Sequence, residues 1–565
     1  MKKFIGLFLV GLVSLTACNN DSGSSSSSVK PDKEFPSTIN GTLVENTDYV
    51  DHSTTYDGTT FEYNESMWYI NELKDIPLPD PHVYFEDGVY YITGTSDAKR
   101  GTVVECYVTE DFVNYDRIEL YNPADYDGWE SSNPQIYAPE IYEFDGMYYL
   151  YYSALDKSST PVRKNSVVVA SEPAGPYEPI IDGDIDGLNE PLLDNETKNS
   201  LDISVFKDDD GQLYMYYSTY QGAIYPSSQI IVGVKLKTPY EADWNTYKTL
   251  VIPGSRTVKG VSNEISWEQF RAPCIVEAPY MIKSKGKYYL TYSVNGCYNK
   301  YYNVCYAVGD SPLGDFTKPY EKGKLWTNLL LGYPGLNTAD NNIYQQWNGF
   351  ASGTGHHCFF NIGDQIMIGY HAHQNRNYNV DSGGYEERYF AFDYLYFDDE
   401  GVPFCNGPSY SLQPLPEELS GYKNIAENAN VNRNNVTNEN AINDNYIVDC
   451  YNLEDGSREV NLGKGKSYIE LEFDKEYEIG GIAIYNSAYF DKYITEIEYI
   501  NFMNDNALFY PQFSTDAYVN EEKSFVYPNS AFTIEFQKTF KADRVVLCFN
   551  LPEGGRINEI KVLGK

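Results

Sequence analysis

The chain has 565 residues with 81 acids against 42 bases, a formal net charge of −39, and 16% aromatic content that includes 55 Tyr. Such a length exceeds one ordinary core and calls for two or more domains. Charge this negative repels a phosphate backbone and argues against a nucleic-acid partner but not against a neutral polymer; the aromatics favour strands and suit flat surfaces that stack on sugars.

Residues 1–18 read as an export signal. Lys2 and Lys3 form its charged start, and the apolar run from Phe4 to Leu15 is too short to span a membrane. The Leu15-Thr16-Ala17-Cys18 that follows resembles a bacterial lipobox, in which Cys18 is lipidated and becomes the new N-terminus. Residues 19–40 are a Ser-rich linker. The expectation is an exported protein, lipid-anchored to a bacterial membrane at the cell surface or periplasmic face, and touching the membrane only through that anchor. The other cysteines are Cys106, Cys274, Cys297, Cys305, Cys358, Cys405, Cys450 and Cys548. They include no CxxC pair, which argues against zinc. Cys297 and Cys305 are close enough in sequence to pair; burial as small apolar groups is the simpler reading.

From about residue 76 one element recurs. "FEDGVYYITGTS", "FDGMYYLYYSA", "DDGQLYMYYST", "SKGKYYLTYSV" and "GDQIMIGYHA" each set strand-forming residues around a glycine turn, at Gly88, Gly146, Gly211, Gly286 and Gly363. The intervals leave room for about four short strands each. Four-stranded sheets repeated radially make a β-propeller of five blades, assigned to residues 41–420. Six to nine residues before each turn glycine stands an ionisable residue: Asp80, Glu140, Asp202, Glu277 and His356. The innermost strand of each blade lines the central channel, so the five are expected to converge on one mouth. Asp208, Asp209 and Asp210 read as turn residues.

Two carboxylates facing across a pocket can hydrolyse a glycosidic bond, one donating a proton to the leaving oxygen and the other activating water or attacking directly. Crowded acids raise one another's pKa and keep that proton available near neutral pH. Asp80, Asp202 and Glu277 fit this set; a calcium site is the competing use of clustered carboxylates.

"LPDPHVYFEDGVYYITGTS", "APEIYEFDGMYYLYYS", "LDISVFKDDDGQLYMYYS", "EAPYMIKSKGKYYLTYS" and "GTGHHCFF" resemble, in order, the blade motifs of glycoside hydrolase family 43 over roughly residues 76–416. The resemblance implies an inverting hydrolase. Asp80 matches the general base, Glu277 the general acid, and Asp202 the acid that tunes and orients the donor. His356 matches the axial histidine that stands beside a metal ion, commonly a structural calcium held largely through water; no cofactor is required for the reaction. Arg388 matches a late arginine that reaches the pocket, to orient substrate or Glu277. His371 and Tyr137 are further candidates for substrate contact, Tyr137 standing where the family often has Trp. His371 and His373 alternate on a strand, so one of them faces the pocket. Glu140 reads as structural or as a channel hydrogen-bonder.

In residues 421–565 the run "SYIELEFDKEYEIGGIAIYNS" alternates, with Ile469, Leu471 and Phe473 on one face. Short strands over this length suggest a β-sandwich of jelly-roll type. "NIA", "YIELEFDKEYEIGGIAIYN" and "INEIKVLGK" resemble a discoidin-like domain, a type used for carbohydrate binding; a packing module is the alternative. The whole reads as an all-β, monomeric glycosidase acting on poly- or oligosaccharides. An exo-acting α-L-arabinofuranosidase or β-xylosidase leads, with another furanosidase such as a β-galactofuranosidase, or a catalytically silent glycan-binding lipoprotein, as alternatives.

Overall fold

The computed structural model describes residues 42–46, 49–51, 65–71, 76–95, 101–180, 191–192, 199–221, 228–261, 263–270, 274–299, 301–332, 352–373, 387–409, 412–447, 458–487, 492–494, 497–505, 507–511 and 531–565. Cys18, the export signal, the linker and Cys450 lie outside them.

Five antiparallel sheets of four strands follow one another along the chain. Blade one is His82–Glu86, Val89–Thr93, Val104–Thr109 and Asp116–Tyr121. Blade two is Tyr137–Phe144, Met147–Leu155, Arg163–Ala170 and Glu178–Pro179. Blade three is Ser200–Lys207, Leu213–Gln221, Ser228–Thr238 and Glu241–Val251. Blade four is Val276–Ser284, Lys287–Val294, Asn303–Gly309 and Leu329–Leu331. Blade five is Ser352–Ile362, Gln365–His373, Arg388–Phe397 and Pro403–Cys405. The first strand of each blade touches the first strand of the next, and that of blade five touches that of blade one, so the ring closes on itself. Among the described residues no strand is exchanged at the closure. Packing does the work: Phe112 of blade one lies 5.8 Å from the ring of Phe360 and 5.0 Å from that of Phe392, both in blade five.

The hairpins follow the local chemistry read from the sequence. The turn glycines adopt left-handed backbone, with φ of +86° at Gly88, +78° at Gly146 and +75° at Gly286, a region that costs any residue with a Cβ. Among the described residues the α-helix is confined to Glu417–Ser420. Asp208 and Asp209 are indeed at a turn, and each binds Lys283 at 2.7 Å.

Trp68–Tyr69 and Gln413–Pro414 pair as a separate two-stranded sheet, and the other remaining strands form one extended sheet around Gly465–Asn486 and Ala531–Leu551. These long strands pair antiparallel and slip register at Glu472/Tyr477 and Ile479/Gly481, which lets them bend around a core. Ile469, Leu471 and Phe473 are all buried in that core, as their alternation predicts. Thr42–Asn46 and Tyr49–Asp51 also pair with this sheet. The sequence reading assigns them to the propeller; the correction has a simple cause, since a short polar-flanked strand carries no mark of the sheet it will join. The two parts of the chain are packed together. Met67 and Trp68 are buried against Leu412, Ile447, Tyr485 and Leu563. The Tyr485 hydroxyl donates to Gln413 Oε1 at 2.6 Å, and Lys561 Nζ to the Tyr396 hydroxyl at 3.2 Å.

Blade four carries a buried ion pair. Lys318 and Glu268 are 2% and 0% exposed and bonded to each other. Lys318 also donates to Ile252 O at 2.7 Å, and Glu268 accepts from Tyr292 at 2.8 Å and the Gly254 amide at 3.0 Å. Removing one partner leaves a buried charge without compensation. Lys318→Met is therefore expected to destabilise the protein by about 3–5 kcal/mol, read as a fall in the denaturation midpoint; the double variant Lys318→Met, Glu268→Leu should recover most of it.

Candidate active site

Five residues at the start of the innermost strands adopt left-handed backbone without being glycine: Asp80 (φ +56°), Ala138 (+46°), Asp202 (+57°), Ala278 (+51°) and His356 (+46°). Such a conformation costs about 1–3 kcal/mol and persists where its surroundings dictate it. Just beyond it the strands of blades two to five slip register, at Tyr137/Glu140, Leu201/Ser204, Glu277/Tyr280 and Gly355/Cys358. The ring corrects the spacing argument. Asp80, Asp202 and His356 are equivalent, but Glu277 precedes its ring residue Ala278 by one, and Glu140 follows Ala138 by two. Counted from the turn glycine, Asp80, Ala138 and Ala278 all stand eight residues before it, with Asp202 nine and His356 seven, whereas Glu140 stands six and Glu277 nine before, so the acids of blades two and four lie beside the ring position and not on it.

The ring is held by the neighbouring blade. The ring residue's amide donates to a side chain at the end of the preceding hairpin: Ala138 N to Thr95 Oγ1 (3.0 Å), Asp202 N to Ser153 Oγ (3.1 Å), His356 N to Ser293 Oγ (2.8 Å) and Asp80 N to His371 Nδ1 (3.1 Å). One junction departs from the rule. The amide of Ala278 donates to Asp202 Oδ2 at 3.0 Å, and the hydroxyl of Ser218, which stands opposite Leu201 where this pattern would use it, is buried without a partner. Asp202 is thus drawn onto the backbone beside Glu277.

Asp80 is buried, and its two oxygens see different surroundings. Oδ1 accepts from Arg388 Nη1 at 2.9 Å and lies 3.3 Å from both His356 Nδ1 and His371 Nδ1. Oδ2 accepts from the Thr95 hydroxyl at 2.6 Å. Burial pushes this carboxyl up, but Arg388, with the two imidazoles, outweighs burial and holds it well below the usual carboxylate range. His371 is pushed down to about 3 by burial and by Arg388, and His356 is lowered by burial, so the lasting positive charge at Asp80 is the guanidinium. Arg388, expected to orient substrate or Glu277, bonds Asp80, where it balances a buried charge, and its charge also draws Glu277 down.

Glu277 is moved the other way. Burial is the main cause, with the Asp80 charge adding, and together they raise it to about 7. The Tyr302 hydroxyl and the Gln229 amide flank it and draw it down; both are buried with no closed hydrogen bond. Asp202 is raised well above the usual range by burial and then by Glu277. Asp202 and Glu277 are close enough to titrate as a pair.

The other expected residues are spread around this trio. Tyr137 stacks under Arg163, whose guanidinium carbon is 3.6 Å from the ring centre, and Arg163 feels the charges of Asp202 and Asp80. His373 binds Cys297 O at 2.9 Å, so His371 is the one turned to the acids. Cys297 and Cys305 are both free thiols. Glu140 sits further along the channel, where the Tyr142 hydroxyl donates to it, and burial raises it to about 8. Among the described residues no group of three His, Cys, Asp or Glu side chains could hold a metal ion. His356 turns Nδ1 to Asp80 at 3.3 Å.

Thr95, Ser153, Arg163, Gln229 and Tyr302 escape a search for acids. One signal could have found the first two: the residue seven past the turn glycine is Thr95, Ser153, Ser218 or Ser293 in four blades.

An ionised carboxylate beside two carboxyls whose acidity is lowered can protonate a leaving oxygen while activating water. The sequence profile of the family described as Glycosyl hydrolases family 43 matches residues 69–403. A β-D-galactofuranosidase of Aspergillus niger is 25% identical over 338 residues, 57% of this chain and 80% of its own. A β-xylosidase of Xylanibacter ruminicola is 32% identical over 202 residues, 32% of this chain and 56% of its own. A xylosidase/arabinosidase of Humicola insolens is 32% identical over 205 residues, 32% of this chain and 57% of its own. The chain thus spans four-fifths of the first relative and little more than half of the other two.

Proposed function

Because the chain belongs to glycosyl hydrolases family 43, we propose that it is an inverting, exo-acting glycosidase in which Asp80 is the general base, Glu277 the general acid and Asp202 the residue that tunes and orients Glu277. One observation carries this reading: two carboxyls at one mouth are driven apart in acidity. Asp80 is held ionised by Arg388, and Glu277 is raised to about 7. Opposed environments of this kind mark a base and an acid. In the first step Glu277 gives its proton to the glycosidic oxygen. Asp80 takes a proton from water as that water attacks the anomeric carbon from the opposite face, so the bond to the leaving group breaks as the bond to water forms. The product has the inverted anomeric configuration; Asp80 gives its proton to solvent and Glu277 recovers one from it.

The substrate is a neutral or weakly charged poly- or oligosaccharide. The relatives are named for xylose, arabinose and galactofuranose. α-L-Arabinofuranosides and β-D-xylosides lead, and β-D-galactofuranosides follow. Tyr137, His371 and Arg388 line the approach to the sugar. The propeller is the catalytic domain, and the C-terminal part is a discoidin-like, jelly-roll β-sandwich that binds glycan. Cys18 anchors the exported monomer to a bacterial membrane through lipid, and calcium, where bound near His356, serves structure and not the reaction.

The test is product analysis. Aryl glycosides and arabinan, xylan and galactan oligosaccharides are offered, and the first-formed anomer is followed by NMR. The expected result is release of one terminal sugar in the inverted configuration. A retained anomer would overturn the assignment of Asp80 as base, and binding without any release would favour a silent glycan-binding protein.

A further inference from the structure

Three of the groups that hold Asp80 crowd one oxygen. Arg388, His356 and His371 all face Oδ1, at 2.9, 3.3 and 3.3 Å. Among the described residues Oδ2 has one hydrogen-bond partner, the Thr95 hydroxyl, at 2.6 Å. A carboxylate oxygen can accept about two hydrogen bonds. Oδ1 accepts from Arg388 and is walled in by the two imidazoles, His371 Nδ1 being itself the acceptor of the Asp80 amide, and Oδ2 keeps a lone pair. Thr95 itself is pinned at three points. Its hydroxyl accepts from the Ala138 amide at 3.0 Å, so its own hydrogen is left to donate to Asp80. Its backbone amide donates to Pro79 O at 2.8 Å, on the residue just before Asp80. It is 2% exposed.

Thr95 belongs to the ring of hairpin-end residues that catch the next blade's amide, and it is the member whose hydroxyl also donates to one of the three acids. Ser153, its counterpart in blade two, spends its hydrogen on Asn165 Oδ1 at 2.7 Å. A structural catch needs an acceptor alone; a second bond that ends on one of the acids is found in blade one.

On the reading of Asp80 as general base, we propose that Oδ2 is the oxygen that takes the proton from the attacking water, and that Thr95 is the positioning residue that aims its free lone pair at that water. The Ala138 amide fixes the hydroxyl, the hydroxyl fixes the rotation of the carboxylate, and Arg388 on Oδ1 closes the other end. The water gives its proton to Oδ2 as its oxygen bonds to the anomeric carbon, and the electron pair of the broken bond leaves with the glycosidic oxygen.

The experiment compares Thr95→Val, which keeps the shape and removes the donor, with Thr95→Ser, which restores it. The probe is whichever 4-nitrophenyl glycoside the wild type hydrolyses. Thr95→Val is expected to lose roughly 10- to 100-fold in kcat/KM, the worth of one hydrogen bond to a charged group. Without that donor the carboxylate is easier to protonate, so the acid limb of the kcat/KM profile should move to higher pH. A residue that merely holds the fold would not move that limb. Thr95→Ser should return both rate and limb to within a few-fold of wild type. If Thr95→Val does not fold, Thr95→Ala removes the same donor and is read on the same limb. The proposal is overturned if the donorless variant keeps the wild-type acid limb, or if Thr95→Ser is impaired equally. Asp80→Asn separates the two levels: full activity in that variant would sink the reading of the base itself, whereas a dead Asp80→Asn beside an unshifted Thr95→Val would sink the role of Thr95 alone.

Discussion

Glu277→Gln is expected to lower turnover of substrates with poor leaving groups, such as oligosaccharides, by roughly 10²- to 10⁴-fold, the usual span for loss of a general acid. The size of the loss should depend on what leaves. A dinitrophenolate departs without a proton, so the dinitrophenyl glycoside should lose far less than the 4-nitrophenyl glycoside or the oligosaccharide. The pH profile gives the second signature. Glu277 must be protonated to act and is raised to about 7, chiefly by burial. Wild-type kcat/KM should therefore be fully developed below pH 7 and fall about tenfold per unit above it. The sign follows from the role: as pH rises through the folded-state value the proton is lost, and with it the acid. In Glu277→Gln no proton is available at any pH, and this limb should vanish. Equal losses for all leaving groups, or an unchanged basic limb, would remove Glu277 from the role. The Asp202 and Glu277 carboxyls titrate as a pair, so the wild-type limb belongs to both.

The propeller was legible because its signals are local. Each hairpin has its glycine at a left-handed turn and its strand residues on either side, and these need no tertiary information. The same is true of Ile469, Leu471 and Phe473, whose alternation and burial agree. The site was legible as a set of residues and less so as a geometry. Asp80, Asp202, Glu277, His356, His371 and Arg388 interact in one cluster. Ala138 and Ala278 share Asp80's distance of eight residues from the turn glycine, but an alanine carries no chemistry to mark it, so the search for acids settled on Glu140 and Glu277 beside them. Arg388 needs blade five to close against blade one before its partner is defined, so 308 residues of chain separate a bond that no spacing rule could find. Thr95 illustrates the opposite case. Its position is regular in the sequence, but a threonine in a strand is a common residue, and only the second bond on its hydroxyl marks it. Strands 42–46 and 49–51 were misassigned because the choice between two sheets is made by packing, not by propensity.

Asp80→Asn should cost at least as much as loss of the acid, toward the upper end of the 10²- to 10⁴-fold range for general catalysis, and its pattern should be the mirror image. The base acts on water, which is the same for every substrate, so the defect should be nearly equal for dinitrophenyl, 4-nitrophenyl and oligosaccharide leaving groups. The acid limb should disappear, because that limb is the protonation of Asp80, which Arg388 holds well below the ordinary carboxylate range. The basic limb should survive and move to lower pH, since the Asp80 charge is one of the forces that raise Glu277. A stability cost accompanies the change. The side chain of Arg388 is 12% exposed and loses the charge of Asp80, while the amide still offers an oxygen to accept its hydrogen bond. A buried charge whose partner is removed outright costs about 3–5 kcal/mol, so a loss smaller than that is expected, visible as a lower denaturation midpoint. Arg388→Lys makes the same argument from the other side. It keeps the charge and loses the planar fork, so Asp80 stays ionised but is held less firmly. The acid limb should stay near its wild-type position while kcat falls. A rise of that limb into the ordinary carboxylate range in Arg388→Lys would show that the bond geometry of the guanidinium, and not its charge, keeps the base ready.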